Sequence, residues 1–322
     1  MTKRGEVDMK SFATHDEQLA ILKSRGLIME DEAAARRVLS RDNYYALIDG
    51  YKEPFLERDE TKNPYGEELY GAGTTFNHIL ALYQFDRKLR LLLLGELLKF
   101  ERSIKSKLAY RFSERFSAVD SFLDNANYSP EEVHFHERDR ITATLNNLIE
   151  SHKKRHRVRY PELREFYEKH KNLPLWVLVN FLSLGQITNF YTVIDQDLRT
   201  RIAQDFAEEA GDSGITLSAA ELDEILSIAF PFRNKAAHEE VLYSFRLRSP
   251  LELRRLEDKL HQEKGYITHG TTASLIKLLK VVSPPDEYEM FTRELLELIR
   301  SLEESLPEGP YVRVMKVAGF HK

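Results

Sequence analysis

Cysteine is absent from the 322-residue chain, which excludes disulfide frameworks, thiolate metal sites, iron–sulfur clusters and cysteine nucleophiles. That absence fits a reducing cytoplasm. Long apolar runs are missing as well: residues 91–94 and 175–179 fall far short of the roughly 18 residues of a membrane span, so no membrane association is expected. The opening MTKRGEVDMK carries basic residues without the apolar segment of about 7 to 15 residues that a secretory signal requires, and export is not expected. Glycine (14) and proline (11) are few while 42% of residues are hydrophobic, which excludes collagen-like and largely disordered chains. Neither sign of charge dominates, the formal net charge being −5, so a nucleic-acid role has to rest on local patches. Walker-type glycine loops, dinucleotide fingerprints, HExxH and Gly-x-Ser-x-Gly elbows are also lacking, and no cofactor is implied.

What is present is helical periodicity, and the fold class it predicts is all-α. Thr14-His15-Asp16-Glu17 has the form of a capping box, Gly26 suits a left-handed stop, and Asp31 suits a second N-cap, together predicting a helical hairpin. An aromatic stretch through Tyr44, Tyr45, Tyr51 and Phe55 then ends in a polar loop. From Phe76 to about Phe116 there is no proline, and Leu82, Phe85, Leu89, Leu93, Leu97, Phe100, Ile104 and Leu108 keep the spacing of one long helix. Ser129-Pro130-Glu131-Glu132 opens another. Residues 175–182 read as a buried helix containing the sole tryptophan, Trp176, ended by Gly185. Ser218-Ala219-Ala220-Glu221 is a further capping box, and Pro231 predicts a kink or a restart in the helix that follows. The tail from 311 to 320 reads as a short extended segment. These signals divide the chain into an N-terminal tail (1–14), an N-terminal helical region (15–72), a central helical domain (73–246) and a C-terminal helical extension (247–322).

Two features carry candidate chemistry. Between 152 and 159 the chain holds Lys153, Lys154, Arg155, Arg157 and Arg159 with no acid, a run that follows a phosphate backbone or forms a solvated basic loop. Beyond Pro231, Arg233 and His238 lie five positions apart in an apolar neighbourhood, with Asn234 and Lys235 between them. Arginine supplies a permanent planar cation suited to phosphate, and histidine is the side chain whose unperturbed pKa lies near neutrality. Together they suffice for metal-free RNA cleavage, with the RNA's own 2′-hydroxyl as nucleophile. Five residues at 3.6 per turn place the two side chains roughly 140° apart, so either a kink reorients them or two copies share one site across a two-fold axis. Spacing alone favours a structural pair, and Arg164 with His170 and Arg254 with His261 have similar separations among solvated charges. His134 and His136 are spaced as a His-x-His chelate, but on a helix residues two apart diverge, and surface histidines are the better reading.

The stretch Phe232-Arg233-Asn234-Lys235-Ala236-Ala237-His238 resembles the RNxxxH motif of the HEPN superfamily of helical ribonucleases. Segments around Leu19 to Leu27, Asn43-Tyr44-Tyr45 with Gly50-Tyr51, Leu82 to Arg90, and Glu101 to Tyr110 resemble the Abi-like (abortive infection) proteins of the AbiD and AbiF group, in family order over roughly residues 15–245. The resemblance implies an HEPN-like bundle over 73–246 and a homodimer with a composite site. It also implies metal-independent endoribonuclease action in phage defence or as a toxin, with RNA as substrate and an RNA or protein antitoxin as regulator. Carried over by position, Arg233 contacts phosphate, His238 is the acid or base and Asn234 orients them, with Lys235 and the basic run holding RNA. Some HEPN toxins carry tyrosine two residues after the histidine; Glu240 stands there in this chain, so regulation through that tyrosine is not expected.

Overall fold

The computed structural model describes residues 12–59, 61–63, 67–151, 160–211, 216–251, 254–263 and 266–320. Over these the protein is all-α, and the only β-type pairings among them are isolated bridges such as Leu56 with Tyr70. The helices are α1 (His15–Ser24), α2 (Glu32–Arg41), α3 (Phe76–Arg115), α4 (Phe135–Ser151), α5 (Pro161–His170), α6 (Leu175–Leu178) and α7 (Leu184–Val193). They continue as α8 (Gln196–Glu209), α9 (Ala219–Ala237), α10 (Arg254–Lys259), α11 (Thr272–Leu279), α12 (Pro285–Ser305) and α13 (Glu308–Ala318). Two compact units emerge, and their limits differ from 72 and 246. One comprises residues 1–88 and 297–315, the other residues 89–296 and 316–322, so the boundary falls inside α3.

In the first unit, α1 starts with the capping box of Thr14 and Glu17. It stops at Gly26, whose φ of 88° lets the Gly26 N–H reach the Lys23 carbonyl (2.9 Å) and the Leu27 N–H reach the Leu22 carbonyl (3.0 Å). The Asp31 carboxylate accepts the Ala34 N–H and opens α2, which packs on α1, with Leu22, Ala35 and Leu39 buried. A π-helical turn, Tyr45–Asp49, then buries Leu47 and Ile48. Buried Tyr51 donates to buried Asp86 at 2.7 Å. Near Phe55, Arg313 of α13 donates to the Pro54 carbonyl at 2.7 Å, and the tail read as extended is in fact this helix.

In the second unit, α3 presents Phe100, Ile104, Leu108 and Phe112 at four-residue intervals to the core. Phe112 lies 5.7 Å from Phe190 of α7 and 5.6 Å from Tyr128, and Phe100 lies 5.5 Å from Phe206 of α8. Buried α7 packs against both α4 and α9, and α9 also packs on α8 and α11. Two local expectations are corrected here. The segment read as one buried helix is a single α-turn followed by a 3-10 turn, Val179–Phe181, and it leaves Trp176 59% exposed. Gly185 does not end that segment but stands in the first turn of α7, where a Cβ would come within 2.7 Å of the Phe230 ring.

Candidate active site

The motif sits at the C-terminal end of α9. Ser218 and Glu221 form the predicted capping box at its start, and Leu222, Ile225, Leu226, Ala229 and Phe232 fix one face in the core. The helix continues through Pro231 without the restart that the proline suggested. With Phe232 buried, the next residues turn outward: Arg233, Asn234 and Lys235 are half-buried, whereas Ala237 and His238 are exposed. His238 is the C-cap, and its backbone N–H still reaches the Asn234 carbonyl at 3.0 Å. Glu239 takes the left-handed position (φ 58°), and the Glu240 N–H closes on the Lys235 carbonyl at 3.1 Å. This is a Schellman stop built on glutamate instead of glycine, and it fixes the backbone on which the imidazole is carried.

Arg233 is held from α3. Its Nε donates to Glu101 Oε2 at 3.1 Å, and Glu101, 6% exposed, receives Lys105 Nζ on its other oxygen at 2.7 Å. The Arg233 side chain keeps 28% of its surface, and its terminal amino groups have no partner among the described residues. Nearer the start of the unit, Arg90 of α3 donates to the Glu240 carbonyl at 3.4 Å. Two points on one rigid helix thus fix the two ends of the motif. The buried Glu101 carboxylate pairs with both cations and orients the guanidinium as a fork with its outer face free.

The structure brings Arg233 and His238 to the same helix end but makes no bond between them. Asn234 contributes its carbonyl to the helix stop, and its side chain bonds neither Arg233 nor His238. Lys235 is committed to an ion pair with Glu240 and lies 4.9 Å from the centre of the Phe245 ring, which reduces the charge it can offer a phosphate. Lys153, Lys154, Arg155, Arg157 and Arg159 lie outside the described residues. His134 Nδ1 is engaged by Ser129 Oγ at 2.9 Å, while His136 faces solvent beside Glu137. Glu101 had no assigned role in the sequence. Its signal is weak, a lone acid four residues before Lys105 within the apolar spacing of α3.

Among the described residues no helix is long and apolar enough to cross a membrane. No curated protein and no solved structure matches the chain. A model of the Abi-like protein family matches residues 37–244, a span that contains α3, α9, Glu101 and the whole Arg233-to-His238 motif. With well over half of its length matched, the chain belongs to the Abi-like protein family.

Proposed function

We propose that the protein is a metal-independent endoribonuclease that acts in abortive infection, with toxin-like action on RNA and a composite site built from Arg233 and His238 of two protomers. The observation that carries this reading is the chemistry exposed at the end of α9: an imidazole and a guanidinium anchored through Nε, where among the described residues the imidazole has no side-chain partner and both terminal amino groups of the guanidinium are free. In the reaction, one His238 takes the proton of the 2′-hydroxyl as O2′ attacks the adjacent phosphorus. The second His238, from the partner protomer, delivers a proton to the departing O5′. The Arg233 forks donate to the non-bridging oxygens, where negative charge accumulates in the transition state. The products are a 2′,3′-cyclic phosphate and a 5′-hydroxyl, and DNA, lacking the nucleophile, is not cut.

Pairing of two copies is supported by α3. Between its two contacts with the motif, Leu91 and Leu98 lie one heptad apart and are 64% and 46% exposed, an apolar stripe on the helix that holds Arg233. A two-fold contact along this stripe would bring two motif ends together. The test is incubation of the purified protein with end-labelled RNA in EDTA, followed by end-group analysis. Fragments with cyclic phosphate and 5′-hydroxyl ends are expected; cleavage that requires added metal, or that leaves 5′-phosphates, would overturn the reading.

A further inference from the structure

A groove runs along the second half of α3, on the side of Glu101 where Lys105 lies. Its volume is about 670 Å³, and its walls include Arg102, Lys105, Tyr110, Trp176 and Asn180. Both aromatic rings are unusually bare, Tyr110 at 62% and Trp176 at 59% exposed. Trp176 has no ring partner among the described residues, and Arg102 forms no ion pair there. The Arg111 guanidinium carbon lies 5.4 Å from the centre of the Tyr110 ring, and the Tyr110 hydroxyl reaches Glu114 at 3.4 Å, so both ends of this side chain are held at the rim. A second cavity of about 290 Å³ shares Ser113 and Trp176 with the groove, which places the indole at a junction open on two sides. From Arg102 to Ser113 the groove floor is about 16 Å long.

A core does not leave its only tryptophan in this state, and a self-association surface is differently composed. The stripe of Leu91 and Leu98 is apolar, whereas this groove sets beside its two rings, Ala109 and Val179 the Arg102 guanidinium, the Lys105 ammonium paired with Glu101, the Glu114 carboxylate paired with Arg111, serine hydroxyls and an amide. Exposed rings beside a cation without an ion pair suit a single nucleic-acid strand, a base stacking on each ring while phosphate meets the Arg102 guanidinium. The groove wall is also tied to the motif, because Lys105 on that wall, Glu101 and Arg233 form one hydrogen-bonded chain.

We propose that this groove is the single-stranded RNA subsite of the protein, with Trp176 and Tyr110 stacking bases and Arg102 contacting phosphate next to the cleaved position. It rests on the endoribonuclease reading and extends it, since none of these three residues belongs to the RNxxxH motif. Because Trp176 is the sole tryptophan, its fluorescence reports on this junction alone, and the Tyr110 and Arg102 variants tie the signal to the groove.

The experiment titrates the full-length His238→Ala protein, which leaves RNA intact, with a mixed-sequence single-stranded oligoribonucleotide. Tryptophan emission and affinity are followed together. Expected are strong quenching on binding, at least about tenfold weaker binding when Tyr110→Ala or Trp176→Ala is added, and restoration by Trp176→Phe. Arg102→Ala should lower the slope of log affinity against log salt by about one. RNA bound with unchanged emission and unchanged affinity in these variants would overturn the subsite while cleavage by wild type left the enzyme reading intact. Emission that changes with protein concentration and not with RNA would assign the groove to a second copy and likewise overturn the proposal. Quenching and weakened variant binding, with no cleavage by wild type, would uphold the subsite and remove the enzyme.

Discussion

At the residue scale, the two members of the motif differ in what they do for the fold. His238 is exposed and its side chain bonds none of the described residues, so His238→Ala is expected to change unfolding free energy in urea by no more than about 0.5 kcal/mol. Arg233→Ala strands buried Glu101 with Lys105 as its remaining partner. Allowing for the partial exposure of Arg233, a loss of about 1–3 kcal/mol is expected in the same measurement. Arg233→Lys retains the charge but not the fork, and is the better variant for activity. The motif itself was legible because its residues are neighbours in sequence. Glu101 was not, since it lies 132 positions from Arg233 and nothing in the spacing of α3 distinguishes it from other helix acids.

A second residue-scale prediction concerns pH. Burial lowers the pKa of His78 below the ordinary histidine value, and its Nδ1 accepts the Thr75 N–H at 3.2 Å, which requires that nitrogen to be unprotonated. The unfolded chain therefore binds the proton more readily than the folded one, and stability falls as pH drops from about 6.5 through the lower folded-state value. His78→Gln is expected to flatten that part of the stability profile, read by thermal unfolding between pH 5 and 7.5; an unchanged slope would contradict the assignment.

At the scale of elements, helix ends were the most readable features. Thr14 and Ser218 form the boxes their sequences suggest, and Gly26 adopts the left-handed stop, because each depends on four or five consecutive residues. Gly26→Ala is expected to cost about 1 kcal/mol in urea unfolding, since a side chain is strained at that φ. The stop after α9 reverses the logic: Glu239→Gly should leave stability unchanged or raise it by up to about 1 kcal/mol while preserving RNA cleavage. What misled was apolar composition without context. Residues 175–182 read as a buried helix, yet a four-residue turn followed by a 3-10 turn rotates Trp176 out to the surface, and Gly185 is small because Phe230 lies against it. Likewise 311–320 alternates weakly enough to suggest an extended strand, whereas Val314, Met315 and Ala318 are buried on one face of α13.

At the scale of the whole molecule, the all-α class follows from periodicity alone, but the division into units does not. Residues 297–315 join the first unit through long-range packing such as Arg313 against the Pro54 carbonyl, a contact 259 positions apart that no local pattern encodes. The unit boundary inside α3 is hidden for the same reason, because one uninterrupted helix serves both cores. Assembly is predicted at this scale too. Leu91→Asp with Leu98→Asp is expected to convert a dimer to monomers in light scattering and to lose RNA cleavage with it, because a charge on each side opposes pairing of the stripe. The most direct test of the endoribonuclease account is the cleavage rate of His238→Ala beside wild type, both folded, on one RNA in EDTA. A fall of about 10² to 10⁴-fold is predicted; a variant that cuts at the wild-type rate would contradict it.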